Sequence, residues 1–313
     1  MMKRLLAAVL SVLFLLTAGC GTGTQPKDTK LSKLTIGLMP DTDSIPFIIA
    51  AERGYFAEEG VEVELVPFKS AMERDAALQS GNLDGAISDL LAVIFARSGG
   101  FALHATSYTD GNYNLVASGN TGISTATNLH GKEIAISRNT IIEYVTDEIL
   151  AVNGLNEREV SKVVIPQIPT RLELLQSSKL AAATLPEPMA SVAVHNGCRF
   201  ITGSDELGIN PGVILFTEKS TKEKRAEIQA MYRAYNKAVA YLNSTDRAEY
   251  IDLVVEKSGF PPAAKEALVL PVYHTAALPK ENDVTDCIAW LKGKELIKDS
   301  YGYADLVLDL LQP

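Results

Sequence analysis

The chain has 313 residues, 29 lysines and arginines against 38 aspartates and glutamates, and a formal charge of -9. With 47% hydrophobic and 21% charged residues it has the composition of an ordinary globular protein, long enough for two domains or two lobes of one architecture. The acidic balance argues against nucleic acid as a partner. The four histidines, His104, His130, His195 and His274, are dispersed without metal-ligand spacing, so no metal or other cofactor is expected.

Lys3 and Arg4 open the chain, residues 5–16 form an almost unbroken apolar run, and Leu16, Thr17, Ala18, Gly19 and Cys20 follow. That order reads as a secretory signal peptide over residues 1–19, since the run is far shorter than the roughly 20 apolar residues of a spanning helix. Its end resembles the lipobox of bacterial lipoproteins, although Thr17 stands where an aliphatic residue is commoner. The resemblance implies cleavage before Cys20 and lipid modification of that cysteine, which holds the mature protein to the membrane without spanning it. A plain signal peptide with an incidental Cys20 is the alternative. Loss of Lys3 and Arg4 takes the charge from -9 to -11 by the same counting. Residues 20–32 are polar and read as a flexible tether. Cys198 and Cys287 lie far apart, and no disulfide between them is predicted.

From residue 34 strands and helices alternate. Residues 34–39 read as a strand and 45–53 as a helix with Pro46 in its first turn, where a missing N–H is harmless. Strands at 61–65, 85–88 and 102–107 and helices from Ser70 and at 90–97 complete a βαβαβ unit, which implies a parallel sheet. A second unit repeats the pattern, with strands at 133–137, 162–166 and 181–184 and helices at 141–153, 171–177 and 188–195. Residues 222–243, 247–257, 263–269 and 284–291 read as helices that pack back on the first lobe. Two isolated strand-like pieces, 113–117 and 213–217, sit where the chain leaves and re-enters that lobe, and their positions suggest a pair of hinges. The expected division is a first lobe of residues 33–116 plus 210–313 and a second of 117–209, with a cleft between them outside the carboxyl ends of the strands.

Three junctions carry the spacing of a capping box: Ser70 with Glu73, Thr140 with Glu143, and Thr170 with Glu173. They place three helix N-termini toward the cleft, where anions or polar ligand groups are favoured. After the first strand, Asp41, Thr42, Asp43 and Ser44 form a polar cup, with helix capping the competing role for Asp43 and Ser44. Ser88 with Asp89, Tyr108 to Asp110, and Arg138 with Asn139 occupy equivalent junctions. The candidate ligand contacts are therefore Asp41, Thr42, Asp43, Ser44, Ser70, Asp89, Tyr108, Arg138, Asn139, Thr140, Glu187 and Asn210. Asp41, Asp43, Asp89, Asp110 and Glu187 suit a cation or a donor-rich ligand, whereas Lys69, Arg138 and Arg171 suit a sulfonate or carboxylate. No nucleophile, base and orienter can be assembled from the spacing, and the histidines lie outside these junctions, so an enzyme is not expected.

Residues 36–50 with Ala51, Glu52, Gly54, Tyr55, Phe56 and Gly60, then Ala77, Leu78, Gly81, Asp84 and Ala86, resemble solute-binding proteins of the nitrate, sulfonate, taurine and thiamine-precursor class. Leu129, Gly131, Lys132 and Ile134, then Pro169, Thr170, Arg171, Leu174 and Leu175, and finally Leu185, Pro186, Glu187 and Pro188, continue the resemblance. It implies an α/β periplasmic-binding-protein fold of the two-crossover type, with two lobes and a cleft. The implied role is a lipid-anchored, extracytoplasmic, monomeric protein that delivers a small polar solute to the permease of an ABC importer. Where relatives often carry Gly and Asp before the third strand of the second lobe, this chain has Ser178, Lys179, Leu180 and Ala181, so an acidic contact there is absent. The same resemblance covers enzymes of the thiamine-pyrimidine and menaquinone-precursor kind, and a sensory binding subunit would use identical chemistry.

Overall fold

A computed structural model of the protein describes residues 31–312. The signal peptide, Cys20 and most of the tether therefore lie outside the described residues. The tether's expected end at residue 32 moves: Ser32 N–H and Oγ–H both donate to Glu227 Oε1, at 2.9 and 2.7 Å, and Leu31 packs against the core.

The alternating pattern folds into two five-stranded sheets of matching topology. The first contains β1 (Leu34–Leu38), β2 (Val63–Pro67), β3 (Gly85–Asp89) and β4 (Leu103–Tyr108). The second contains β5 (Tyr113–Ala117), β6 (Glu133–Ile136), β7 (Ser161–Val164), β8 (Ala182–Pro186) and β9 (Arg199–Gly203). The last strand, β10 (Gly212–Thr217), returns to the first sheet. The orders are β2-β1-β3-β10-β4 and β7-β6-β8-β5-β9.

Neither sheet is parallel throughout, which corrects the expectation from βαβ units. β1 pairs in parallel with β2 and β3, but β10 runs antiparallel between β3 and β4. In the second sheet β6 is parallel to β7 and β8, and β5 runs antiparallel between β8 and β9. The two segments read as hinges are thus sheet-interior strands, buried on both faces. Because β5 belongs to the second sheet, the first crossing lies at residues 109–112, ahead of the expected boundary at 116/117. The second crossing follows β9, a strand without a legible alternation because Arg199 and Phe200 both face solvent.

Helices cover both sheets: α1 (Ile45–Glu52), α2 (Ala71–Gln79), α3 (Leu90–Ser98), α4 (Ile141–Val152), α5 (Ile168–Gln176) and α6 (Met189–His195). The long α7 (Arg225–Ser244) buries Ile228, Met231, Tyr235 and Leu242 on one side and packs on α1, with Phe47 and Tyr235 edge to face at 5.4 Å. The last long helix, α8 (Glu281–Gly293), packs on α3. Thr170 is not a cap: α5 begins a turn earlier, with Pro169 in its first turn and Gln167 preceding it. A proline there fits the helix start better than the hydroxyl two residues on. Cys198 and Cys287 are free and buried.

The insertion of β10 leaves no room beside β3. A Cβ on Gly85 would sit 2.5 Å from the Leu215 carbonyl oxygen and 2.6 Å from the Phe216 ring. Gly85→Ala is expected to lower unfolding free energy by about 1–3 kcal/mol through overpacking, read from chemical denaturation; an unchanged midpoint would show that β3 and β10 separate easily.

Candidate functional site

The carboxyl ends of β1, β3, β6 and β8 face a cavity of about 30 Å³ lined from both sheets. The first lobe contributes Met39, Asp41, Ala71, Arg74, Ile87, Ser88 and Asp89, and the second Tyr113, Ser137, Thr140, Ile141, Ile142, Pro166, Ile168, Arg171 and Pro186. The volume is enough for about two water-sized centres, so the lobes are drawn closely together here.

Each charged group is set by its helix. Arg74 lies on the buried stripe of α2 with Ala71 and Leu78, and Arg171 on that of α5 with Ile168, Leu172 and Leu175. Arg74 is well partnered: Nε donates to Asp75 Oδ1 at 2.9 Å, Nη1 to the Ile87 carbonyl at 3.2 Å, and Asp89 Oδ2 lies 4.0 Å from Nη2. Burial works against its charge, but Asp75 and Asp89 outweigh that and hold it above its ordinary value.

Arg171 has no such company. It is 0% exposed; Nη1 donates to the Ile165 carbonyl at 2.8 Å, while Nε and Nη2 have no partner. No carboxylate of the described residues lies within ion-pair distance of it. Burial alone pushes the guanidinium down to about 9. A buried charge left this way is costly unless a ligand supplies the counter-charge.

The carboxylates show the complementary imbalance. Asp41 is buried, and burial raises it to about 6 against the pull of Arg74 and the Ser44 hydroxyl, which donates to Oδ1 at 3.4 Å. Asp89 caps α3, accepting the Ala92 N–H at 2.9 Å, and burial raises it too, with Arg74 opposing. Ser88 Oγ is buried without a partner. The cavity therefore offers an unpaired guanidinium from one lobe and a weakly partnered carboxylate from the other.

Of the twelve residues expected to touch a ligand, Asp41, Asp89 and Thr140 line this cavity. Thr140 caps α4, accepting the Ile142 N–H at 3.2 Å. Ser70 caps α2 and is not among the lining residues, and Ser44 accepts the Met39 N–H and donates to the Met39 carbonyl. Arg138 and Asn139 are exposed; Asn139 takes φ 58 and donates its N–H to Glu143 Oε2 at 2.7 Å. Of the remaining five, Thr42, Asp43, Glu187 and Asn210 bond at the two crossings. Thr42 N–H donates to the Glu187 carbonyl at 3.0 Å, Tyr113 OH to Asp43 Oδ2 at 3.2 Å, and Asn210 Nδ2 to the Thr109 carbonyl at 2.6 Å. Glu187 accepts from Asn114 Nδ2 at 2.6 Å and Ser191 N–H at 3.1 Å, which leaves it turned toward its own lobe. Tyr108 sits at half-exposure beside His274, the one histidine at a junction: its N–H and Nδ1 each lie 2.8 Å from an oxygen of Asp110. This corrects the expectation that every histidine lies outside the strand-end junctions.

Arg74, Ser88, Tyr113, Ser137 and Arg171 complete the polar lining, and the sequence carried one signal for the arginines. Both stand in the apolar stripe of a helix, where a charge is out of place unless it has work in the interior. Arg171→Met is expected to raise unfolding free energy by about 1–2 kcal/mol, by exchanging an unpaired buried charge for an apolar side chain of similar length. Thermal and denaturant unfolding measure it; a clear loss of stability would make the guanidinium a structural brace.

The sequence matches the NMT1-like family over residues 27–255. No curated protein matches it. Among solved structures, the alkanesulfonate-binding protein SsuA from Xanthomonas axonopodis pv. citri bound to MOPS is similar at a TM-score of 0.76 and 18% identity, covering 90% of this chain and 99% of that one. The ligand-binding component of an ABC-type import system from Staphylococcus aureus with zinc bound is similar at a TM-score of 0.76 and 16% identity, with 90% and 98% covered. The periplasmic nitrate-binding protein NrtA from Synechocystis PCC 6803 is similar at a TM-score of 0.67 and 14% identity, with 76% and 69% covered. These likenesses establish the two-lobed periplasmic-binding-protein fold.

Proposed function

This chain belongs to the NMT1-like family, and from that premise we propose that it is a solute-binding protein, anchored outside the cytoplasm by lipid on Cys20, that hands a small polar organic solute to an ABC importer. The observation that carries the reading is Arg171, fully buried on a cavity wall with Nε and Nη2 unpartnered. Charge-assisted hydrogen bonds from a guanidinium favour a flat or trigonal anionic head such as a sulfonate, a carboxylate or nitrate. Asp41, across the cavity on the other lobe, favours a donor or cationic group at the ligand's far end. A solute held by both lobes stabilises their closed arrangement, which is how binding can drive closure.

The fold of SsuA and NrtA, proteins named for an alkanesulfonate and for nitrate, supports this class of ligand. The lining supplies two carboxylates, two guanidiniums and hydroxyls, and neither histidine nor cysteine, a set suited to gripping a solute. No described helix is long and apolar enough to cross a membrane, in keeping with an anchor at Cys20.

Native mass spectrometry of freshly purified protein should reveal a co-purified small anion or zwitterion, and calorimetry with taurine, short alkanesulfonates and nitrate should rank the class. Arg171→Met should weaken binding of the best of these about ten- to a hundredfold, the value of one or two charged hydrogen bonds. Equal affinity in the variant would sink the assignment, and turnover of a bound compound would replace it with an enzyme.

The pH dependence has a defined sign. Because Asp41 is raised to about 6, the native state holds its proton more tightly than the unfolded chain. Stability from this group is present at acid pH and lost as pH rises from the ordinary carboxylate range through about 6. Binding of an aminosulfonate such as taurine runs the opposite way, strengthening as pH rises from 5 to 7 and Asp41 becomes charged. Calorimetry across that range should show the trend in the native protein and a flat response in Asp41→Asn.

A further inference from the structure

The last long helix of the first lobe also touches the second. The stripe Val284, Cys287 and Leu291 is buried, and α8 packs on α3. At its C-terminal end Trp290 meets the Tyr144 ring edge-on at 5.7 Å and donates Nε1–H to Asp147 Oδ2 at 3.2 Å. Lys294, the residue capping the helix, lies 3.2 Å from Glu143 Oε1, 2.9 Å from Asp147 Oδ2 and 2.5 Å from Glu157 Oε2. Tyr144, Glu143 and Asp147 all belong to α4, the helix whose first turn lines the cavity with Ile141 and Ile142.

The charge count makes the contact asymmetric. Glu143, Asp147 and Glu157 also hold Lys162 of their own lobe, which lies 3.2 Å from Glu143 and 2.7 Å from Glu157 and touches Asp147 as well. With Lys294 present, three acids face two ammonium groups; if the lobes part, Lys162 faces the three acids alone. Glu143 and Asp147 side chains are only 6% and 10% exposed, so water compensates the excess poorly, whereas Lys294 at 20% and Glu157 at 39% are open enough for added salt to weaken their pair. The same three carboxylates have the spacing of a cation site, but the two ammonium groups already occupy the space between them.

We propose that Trp290 and Lys294 are a clasp that positions the lobes, holding α4 against the first lobe and raising solute affinity without touching the solute. This rests on the solute-binding reading only for its consequence for affinity; the clasp itself is a property of the protein alone. A protein whose binding-competent state is a fraction of the population shows a dissociation constant raised by that fraction, so weakening the clasp weakens binding at an unaltered cavity.

Trp290 is the single tryptophan of the chain, so its fluorescence reports the contact directly. In the full mature protein, Lys294→Ala should shift the emission to the red, at least double quenching by acrylamide and enlarge the radius of gyration in solution scattering. Lys294→Arg should restore all three. Raising sodium chloride from 0.05 to 1 M in the unmodified protein should move the same readings in the direction of Lys294→Ala, a test that needs no variant to fold. Taurine, used as the probe, should bind Lys294→Ala three- to thirtyfold more weakly. Unchanged emission, quenching and scattering in Lys294→Ala and at high salt would overturn the clasp, as would taurine binding with wild-type affinity in that variant. If taurine, alkanesulfonates and nitrate all fail to bind while Lys294→Ala still opens the protein, the clasp stands and the solute reading falls.

Discussion

Everything at the centre of this protein depends on where the strands beside the two crossings insert. Each sheet holds parallel strands and one antiparallel interior strand next to a crossing: β5, the first strand after the outward crossing, lies in the second sheet beside β8, and β10, the strand after the return, lies in the first beside β3. The second sheet is one continuous run of chain, whereas the first completes its backbone hydrogen bonds only when β10 has come back. The two insertions therefore fix where the sheets meet, and they turn the carboxyl ends of the parallel strands toward one shared cavity. Register irregularities recur at matching places, between Ile214 and Leu215 and between Leu115 and Val116, which marks the two insertions as structurally equivalent.

The crossings are braced by polar contacts that a ligand-centred reading of the same residues would misassign. Thr42, Asp43, Glu187 and Asn210 all spend hydrogen-bonding capacity on backbone or side chains at the joint between lobes. Burial raises Asp43 well above its ordinary value, with the nearby Asp41 adding to it, while the Thr109 and Tyr113 hydroxyls oppose the shift. Gly111 makes room for the carboxyl, because a side chain there would run into it. Tyr273 adds a further tie, donating its hydroxyl to the Thr42 carbonyl at 2.9 Å.

The cavity wall holds the buried side-chain atoms Arg74 Nη2, Ser88 Oγ, Arg171 Nε and Arg171 Nη2 without a hydrogen-bond partner. Arg74 is neutralised by Asp75 and Asp89, whereas Arg171 keeps its charge unopposed and Asp41 keeps a proton longer than a solvated acid would. Such groups lower the stability of the protein alone and are compensated when a ligand of matching charge enters, the usual bargain of a binding site. The same helix that opens on the cavity, α4, carries Glu143 and Asp147 to the far contact with Lys294. Local capping, cavity lining and lobe contact are thus mounted on one helix.

Much of this was legible in the order of residues. Period-2 and period-3.6 apolar patterns identified the strands and helices of both βαβ units because those patterns are local consequences of which side chains must face a core, whereas the two segments read as hinges are strands beside the crossings. The cap at Ser70 and the one at Thr140 were legible for the same reason, and so were Asp41, Asp89 and Thr140 as cavity residues, since strand ends followed by polar turns lie where such folds bind ligands. The family likeness, too, is a property of the sequence. Antiparallel insertion of β5 and β10 was not legible, because a strand buried on both faces has no alternation to reveal its direction or its neighbours. Nor could spacing tell that Asp43 turns to the joint and Glu187 to its own lobe while Arg74 and Arg171 turn to the cavity. Sequence alone determined the family and most of the elements, β9 excepted; which buried charges were left without partners was decided only when residues tens of positions apart were packed together, since desolvation and pairing depend on distance in space.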